Sequence, residues 1–259
     1  MIRFLHMLIF SIWSVGVFAA SSSASVELGV YASSITYTEP SVMEENGSLS
    51  GLNGRIIFQQ ANDFKALEIT IASGKMDYEG SGTIQGIPDE LFEIRGLRGS
   101  QWKVSSAWQV TPYIGLGYRY LNDDSSGMIS STSAYGYERE QVYYYSPIGI
   151  RFEHDKFLND WNLYGSFEFD YFLLGKNTSY TGRLRGHNDL SFEQHEGFGN
   201  RIHLGLSKPL YKGLTFKVEA FYKYWSIEDS TLDYDADGTA MIEPKNHSKE
   251  MGISVMLAI

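Results

Sequence analysis

Between residues 111 and 152 the chain alternates with a period of two. Ile114, Leu116, Tyr118 and Tyr120 share one face, opposed by Tyr113, Gly115, Gly117 and Arg119. After a polar stretch at 122–136, Val142, Tyr144, Ile148, Ile150 and Phe152 again share a face. Arg139, Gln141, Tyr143, Tyr145, Gly149, Arg151 and Glu153 oppose them. That period belongs to a β-strand with one apolar and one polar side. Strands of soluble proteins usually run about 5–6 residues, whereas a tilted strand crossing a bilayer needs about 9–11. These runs have the longer length, so the pair is read as a transmembrane β-hairpin.

The same test applied along the chain predicts an up-and-down series. The first strand turns Val26, Leu28, Val30 and Ala32 outward against Glu27, Gly29 and Tyr31 and leads into a long loop at 39–51. The second shows Gly54, Ile56 and Phe58 outward, and the third Leu67, Ile69 and Ile71, so that Arg55 and Glu68 are expected to pair inside. After a long loop at 78–90, strand four is placed with Trp102, Val104, Ser106 and Trp108 outward, followed by a tight turn at 109–112. Beyond the opening hairpin, Trp161, Leu163, Phe167, Phe169 and Tyr171 mark a seventh strand and Phe198, Ile202, Leu204 and Leu206 an eighth. Phe216, Val218, Ala220, Tyr222 and Tyr224 mark a ninth, and Met251, Ile253, Val255, Leu257 and Ile259 the last. Loops at 175–192 and 229–246 are long, and the turns at 154–160 and 207–213 are short. About ten strands with alternating long and short connections predict an all-β, antiparallel, up-and-down transmembrane barrel; eight strands is the alternative. Closure leaves no sheet edge to aggregate.

The N-terminus supplies an address. Arg3 and His6 precede an apolar run at 7–18, followed by Ala19, Ala20 and small residues to Ala24, which is the order of a secretory signal. The run is too short for a spanning helix of about 20 residues. The chain therefore divides into a signal peptide, 1–24, and a barrel domain, 25–259, with cleavage after Ala19 or after Ala24. With no cysteine among 259 residues, a disulfide scaffold and a lipidated cysteine anchor are excluded. Mean hydropathy of −0.23 suits a barrel, because half of each strand faces a polar interior. A net charge of −10 argues against a nucleic-acid partner.

Inward charges of both signs predict a mostly filled lumen: Arg55, Glu68, Arg119, Arg139, Arg151, Glu168, Asp170, Arg201, His203, Lys217, Glu219 and Lys223. A narrow porin-like channel is the alternative. Asp233, Asp235 and Asp237 at alternate positions, with Gly238 and then Glu243, form a candidate Ca²⁺ loop, against the alternative of a solvated acidic loop. Arg98, Arg183 and Arg185 are candidate contacts for lipopolysaccharide phosphates.

Two stretches carry resemblances. The alternating end, Met251 to Ile259, resembles the terminal signal read by the barrel-assembly machinery of bacterial outer membranes, with Ile in place of the usual Phe. The segments Gly117-Tyr118-Arg119-Tyr120-Leu121, Tyr137-Glu138-Arg139-Glu140, Phe221-Tyr222-Lys223-Tyr224-Trp225 and Glu243-Pro244-Lys245-Asn246 are similar to a group of uncharacterised proteobacterial outer-membrane barrel proteins. That resemblance implies an outer-membrane location, contact with its lipid and lipopolysaccharide, and no particular activity. A partial resemblance to omptin proteases, whose acidic pair faces an Asp–His pair across loops two and four, singles out Asp77, Glu79, His187 and Asp189. A catalytic dyad at His203, of the kind lipid-A hydrolases carry, is weighed against a satisfied lumen network, which is preferred.

Overall fold

The computed structural model describes residues 22–211 and 213–259. Of the predicted signal segment, positions 1–21 lie outside the described residues. Among the described residues ten long strands form one closed antiparallel ring: β1 (Ser22–Glu39), β2 (Met43–Gln60), β3 (Asp63–Glu79), β4 (Thr83–Ser100), β5 (Trp108–Asp124), β6 (Glu138–Leu158), β7 (Trp161–Ser179), β8 (Gly197–Pro209), β9 (Thr215–Ile227) and β10 (Asn246–Ala258). Each pairs with its neighbour in sequence, and β10 pairs back onto β1, with Val30 opposite Val255, so no edge is left open. A five-residue strand, Leu190–Gln194, continues the wall above β8. The tip of the last loop is a small hairpin of Asp233–Tyr234 and Ala240–Met241.

The parity read from the sequence holds. Leu28, Val30, Leu52, Phe58, Ile71, Ile114, Leu116, Ile148, Ile150, Phe167, Ile202, Leu204, Met251 and Ile253 are exposed around the outside of the ring, while Tyr31, Tyr145, Tyr164, Arg201 and Glu219 are buried within it. A continuous apolar belt on the exterior with a polar interior is the reverse of a soluble barrel and suits hydrocarbon.

The strands are longer than the bilayer requires, and several predicted loops shrink accordingly. The first seven strands run from 17 to 21 residues. At roughly 3.3 Å per residue an 18-residue strand spans about 60 Å, against a hydrocarbon core of about 30 Å. The stretch 39–51, read as a loop, is the start of β2 after a three-residue turn, and 78–90 is reduced to residues 80–82 between β3 and β4. Above the belt the alternation changes phase. In β1 the outward Leu28 and Val30 give way to outward Ser34, Thr36 and Thr38, while Ile35 and Tyr37 point inward and are buried. Water replaces lipid outside at that height, and an apolar core replaces the charged lumen inside.

Strand four lies earlier in the chain than the sequence pattern predicts. β4 is Thr83–Ser100, with Phe92, Ile94, Gly96 and Arg98 outward and Leu91, Glu93, Arg95 and Leu97 inward; Trp102–Lys103 only returns onto β5, and the turn ends at Ala107. Gly86 and Pro88, which look like breakers, sit at a bulge where the β3–β4 register shifts between Met76 and Tyr78. Gly86 takes φ +70°, which glycine tolerates at no steric cost, and its N–H donates to Asp77 at 2.8 Å.

Candidate functional site: a filled lumen

Inward parity brings the predicted charges together, and their partners come from across the ring. Arg55 donates to Glu68 at 2.7 Å and to Glu27 at 3.0 Å. Arg95 of β4 donates to Glu68 at 2.6 Å and reaches Glu168 on β7. Arg201 of β8 forks onto Glu93 of β4 at 2.6 and 2.8 Å and donates to Asp170 at 2.6 Å. Tyr145 donates to Glu93 at 2.7 Å and accepts from Arg201 at 2.8 Å, and Tyr113 donates to Glu168 at 2.8 Å. Lys217 donates to Glu27 at 2.7 Å, His203 Nδ1 lies 2.9 Å from Glu219, and Lys223 lies 3.6 Å from both Glu93 and Glu250. A bidentate guanidinium locks geometry as a lysine cannot.

Two glycines make room for the tyrosines. A β-carbon at Gly117 would collide with the ring of Tyr145, its cross-strand partner, and one at Gly149 with the ring of Tyr113. Both rings lie over bare backbone and extend into the middle of the lumen. The remaining mid-lumen voids are about 50 and 30 Å³, room for a few waters. A wider vestibule of about 300 Å³ opens at the short-turn end, lined by Glu27, Arg151, Glu153, Ser207 and Lys217 among others.

Toward the long-loop end the filling turns apolar and then acidic. Tyr143, Tyr145, Phe172, Trp225 and Ile227 form one buried cluster; Tyr31, Ile35, Leu49, Met76, Leu91, Leu121 and Phe221 belong to a second. Higher still, Arg139 donates to Glu39 at 2.9 Å and Glu45 at 3.3 Å and lies 3.9 Å from Glu243. Asp89 and Asp123, cross-strand partners on β4 and β5, complete the acidic layer. Burial first, then the neighbouring Glu45, pushes Asp89 up to about 8, with Arg119 and Arg139 opposing. Burial likewise pushes Glu45 and Asp123 up against the pull of Arg139. With more acids than arginines in this space, burial and mutual repulsion favour the neutral form of these buried acids.

Other expected sites separate. Asp233, Asp235 and Asp237 accept backbone N–H groups: Ser191 to Asp233 at 2.7 Å, Ala236 and Asn188 to Asp235 at 2.7 and 3.1 Å, and Thr239 to Asp237 at 2.9 Å. Those bonds hold the Asp233 and Asp235 carboxylates below their ordinary range. Glu243 is buried beside Tyr37 and Arg139, so the four candidate Ca²⁺ ligands do not converge, and among the described residues no cluster of metal-binding side chains forms.

The three candidate lipopolysaccharide arginines lie at opposite ends. Arg98 is at the short-turn end, exposed and 3.6 Å from Asp63. Arg183 pairs with Glu138 at 2.7 Å, and Arg185 is exposed in the same loop. At a bilayer interface an outward Arg costs only about 0–1 kcal/mol, which reconciles Arg98 with its parity.

The omptin-like quartet is not assembled either. Asp77 and Glu79 are exposed, His187 bonds Asp235 at 2.6 Å, and Asp189 accepts the Gly182 N–H. Network members that the period-2 reading does not single out include Glu27, Glu93, Arg95 and Glu250, together with Glu39 and Glu45 beside Arg139. Glu27 and Glu250 had the inward parity that marks a lumen residue; Glu93 and Arg95 were hidden by the misplacement of strand four.

No protein-family model matches the chain, and no curated protein is significantly similar to it in sequence. Among solved structures the chain is similar to the outer membrane protease OmpT from Escherichia coli, with a TM-score of 0.63 at 8% identity over 95% of this chain and 98% of that one. It also matches the translocator domain of the autotransporter NalP from Neisseria meningitidis (TM-score 0.44, 12% identity, 91% and 89% covered). The Pseudomonas putida toluene transporter TodX is a further match (TM-score 0.37, 9% identity, 92% and 90% covered). At such identities the OmpT likeness is one of fold.

Proposed function

We propose that the chain is an outer-membrane barrel of a Gram-negative cell, sealed along its axis, which acts by what its long loops present outside. Its short turns and both chain ends face the periplasm, and its belt meets the lipid and lipopolysaccharide of the membrane after export and delivery by the assembly machinery. An export signal ending at Ala19 suits this arrangement best, because β1 already begins at Ser22. The resemblance to uncharacterised proteobacterial barrels accords with the same reading.

The seal is supported above all by Arg201, 2% exposed, which ties β8 to Glu93 on β4, four staves away in a ring of ten. A permeant ion would have to part that pair and then pass the aromatic layer above it. The surface role is supported by large apolar side chains that the loops leave in water: Val42, Ile129, Tyr135, Leu232 and Tyr234 are all exposed. Exposed side chains of this kind at a loop-bearing end suit contact with another molecule. Purified barrel in planar bilayers is expected to give a flat current trace at ±100 mV. Steady single-channel steps would establish the narrow-channel reading in its place.

A further inference from the structure

The last outer loop, residues 228–245, is fastened on two sides by different chemistry. On one side it bonds the neighbouring loop through backbone and side chains: Glu228 N–H to Glu196 O at 3.0 Å and Thr231 N–H to Glu193 O at 2.8 Å, with the Ser191 N–H donating to Asp233 and the titratable His187 Nδ1 2.6 Å from Asp235, a contact present in parent and Glu243→Gln protein alike. Its two limbs are tied together by the Ser230 N–H to Glu243 O bond at 3.0 Å and the Glu243 N–H to Ser230 Oγ bond at 2.8 Å. On the other side, toward β1 and β6, Glu243 reaches into the mouth. Tyr37 Oη lies 3.1 Å from Glu243 Oε1 and 3.0 Å from Glu39 Oε1, so one phenol proton faces two carboxyl groups.

We propose that Glu243 is a proton-operated latch: the last loop is held on the barrel mouth while the Glu243 carboxyl, which shares Tyr37 with Glu39, carries a proton, and lifts when it does not. With both acids ionised, Tyr37 can donate to only one of them. Arg139 is already engaged by Glu39 and Glu45 and stands 3.9 Å from Glu243. The other groups facing this point are Tyr143 on β6 and Tyr137 in the loop before it, with Asp123 and Asp89 behind Glu45. None of them brings a further cation; the nearest additional one, Arg119, acts on Asp89.

Burial is the main cause that pushes Glu243 up to about 7, and Glu39 adds to it while Arg139 opposes. A carboxyl whose value is raised in the docked state favours docking most at low pH. The docking constant is therefore full below the ordinary value of 4.5, falls about 10-fold per pH unit above it, and has lost its proton-dependent part beyond about pH 7. The latch concerns the loop and stands apart from whether the lumen beneath conducts.

The natural chain has no cysteine, so spin labels can be placed at will. The probe is the distance between labels at Val42→Cys, on the exposed β1–β2 turn, and Ala240→Cys, exposed at the tip of the last loop, measured by pulsed EPR in micelles. A narrow distribution is expected at pH 5 and a broad, longer one at pH 8.5. Glu243→Gln, which mimics the protonated acid, is expected to stay narrow at both pH values, and Tyr37→Phe to broaden at both. Barrel integrity is read from heat-modifiable gel migration of each variant. Identical distributions at the two pH values in the parent protein would overturn the latch. So would a Glu243→Gln variant that is loose at pH 5, which would make the ionised carboxylate on Arg139 the tether.

Discussion

Arg201→Ala is expected to destabilise the barrel by about 3–5 kcal/mol, the usual cost of removing one partner from a buried ion pair. The side chain is fully enclosed and meets Glu93 through two bonds and Asp170 through one, with Glu168 3.3 Å away. Its removal leaves Glu93 with Lys223 at 3.6 Å as its nearest remaining cation and strips the Asp170 oxygen of its donor. Arg201→Lys should recover only part of the loss, since an ammonium cannot reproduce the fork onto Glu93. Unfolding in urea from lipid vesicles, followed by tryptophan fluorescence, measures both, and Trp225, packed beside Tyr145, is the reporter within the lumen. A double cycle with Glu93→Gln should show coupling of more than about 1 kcal/mol. A loss below about 1 kcal/mol for Arg201→Ala would mean that the network is solvated and the lumen wetter than its voids indicate.

The second large effect concerns the other side of the wall. Leu116→Arg is expected to cost about 2–4 kcal/mol in vesicles, because Leu116 projects from the middle of the apolar belt and is 68% exposed. In a water-facing sheet the same change would be close to neutral. Ser48→Arg, on the outward face of β2 above the belt and equally free of neighbours in the core, serves as the control and should stay within about 0.5 kcal/mol. Equal costs at the two positions would remove the argument for lipid around the barrel. A large difference places the edge of the hydrocarbon between the levels of Leu116 and Ser48, where the outward residues change from Leu52 to Ser50 and Ser48 along β2.

Comparison of particular strands shows where the chain could be read and where it could not. For β5, β6, β7 and β9 one side is apolar and the other mixes charged residues and glycines with buried rings such as Tyr113, Tyr145 and Trp225, so the period-2 pattern identifies the strand and the facing of its residues. β4 carries apolar residues on both sides, Phe92 and Ile94 outside and Leu91 and Leu97 inside. Its alternation is therefore weak, and Gly86 and Pro88 looked like the end of an element when they only mark a bulge. The overlong tops of β1 and β2 were missed for a related reason: above the belt their alternation persists with inverted sign, and outward Ser, Thr and Asn resemble a loop.

The lumen was legible as a set of residues and not as a structure. Parity alone told that Arg55, Arg201, Glu168, Asp170 and Lys217 point inward, and cross-strand neighbours such as Arg55 and Glu68 could be paired in advance because they adjoin. That Arg201 would fork onto Glu93, or Arg139 meet Glu39, Glu45 and Glu243, could not, since these partners lie on staves that are not adjacent. The same holds for the Ca²⁺ candidates: alternate spacing put three aspartates in one loop, but backbone N–H groups nearby claimed their oxygens and the mouth of the barrel claimed Glu243.

By itself, then, the chain's two-residue period determined that this is a closed sheet of about ten membrane-crossing strands and, outside β4, which way the side chains of the belt face. That period reports side and carries no information on height along the axis or on what stands across the ring. Those were decided only when closure and register set the strands at a definite stagger, which turned a list of inward charges into a cross-linked network and placed a buried acid under the last loop.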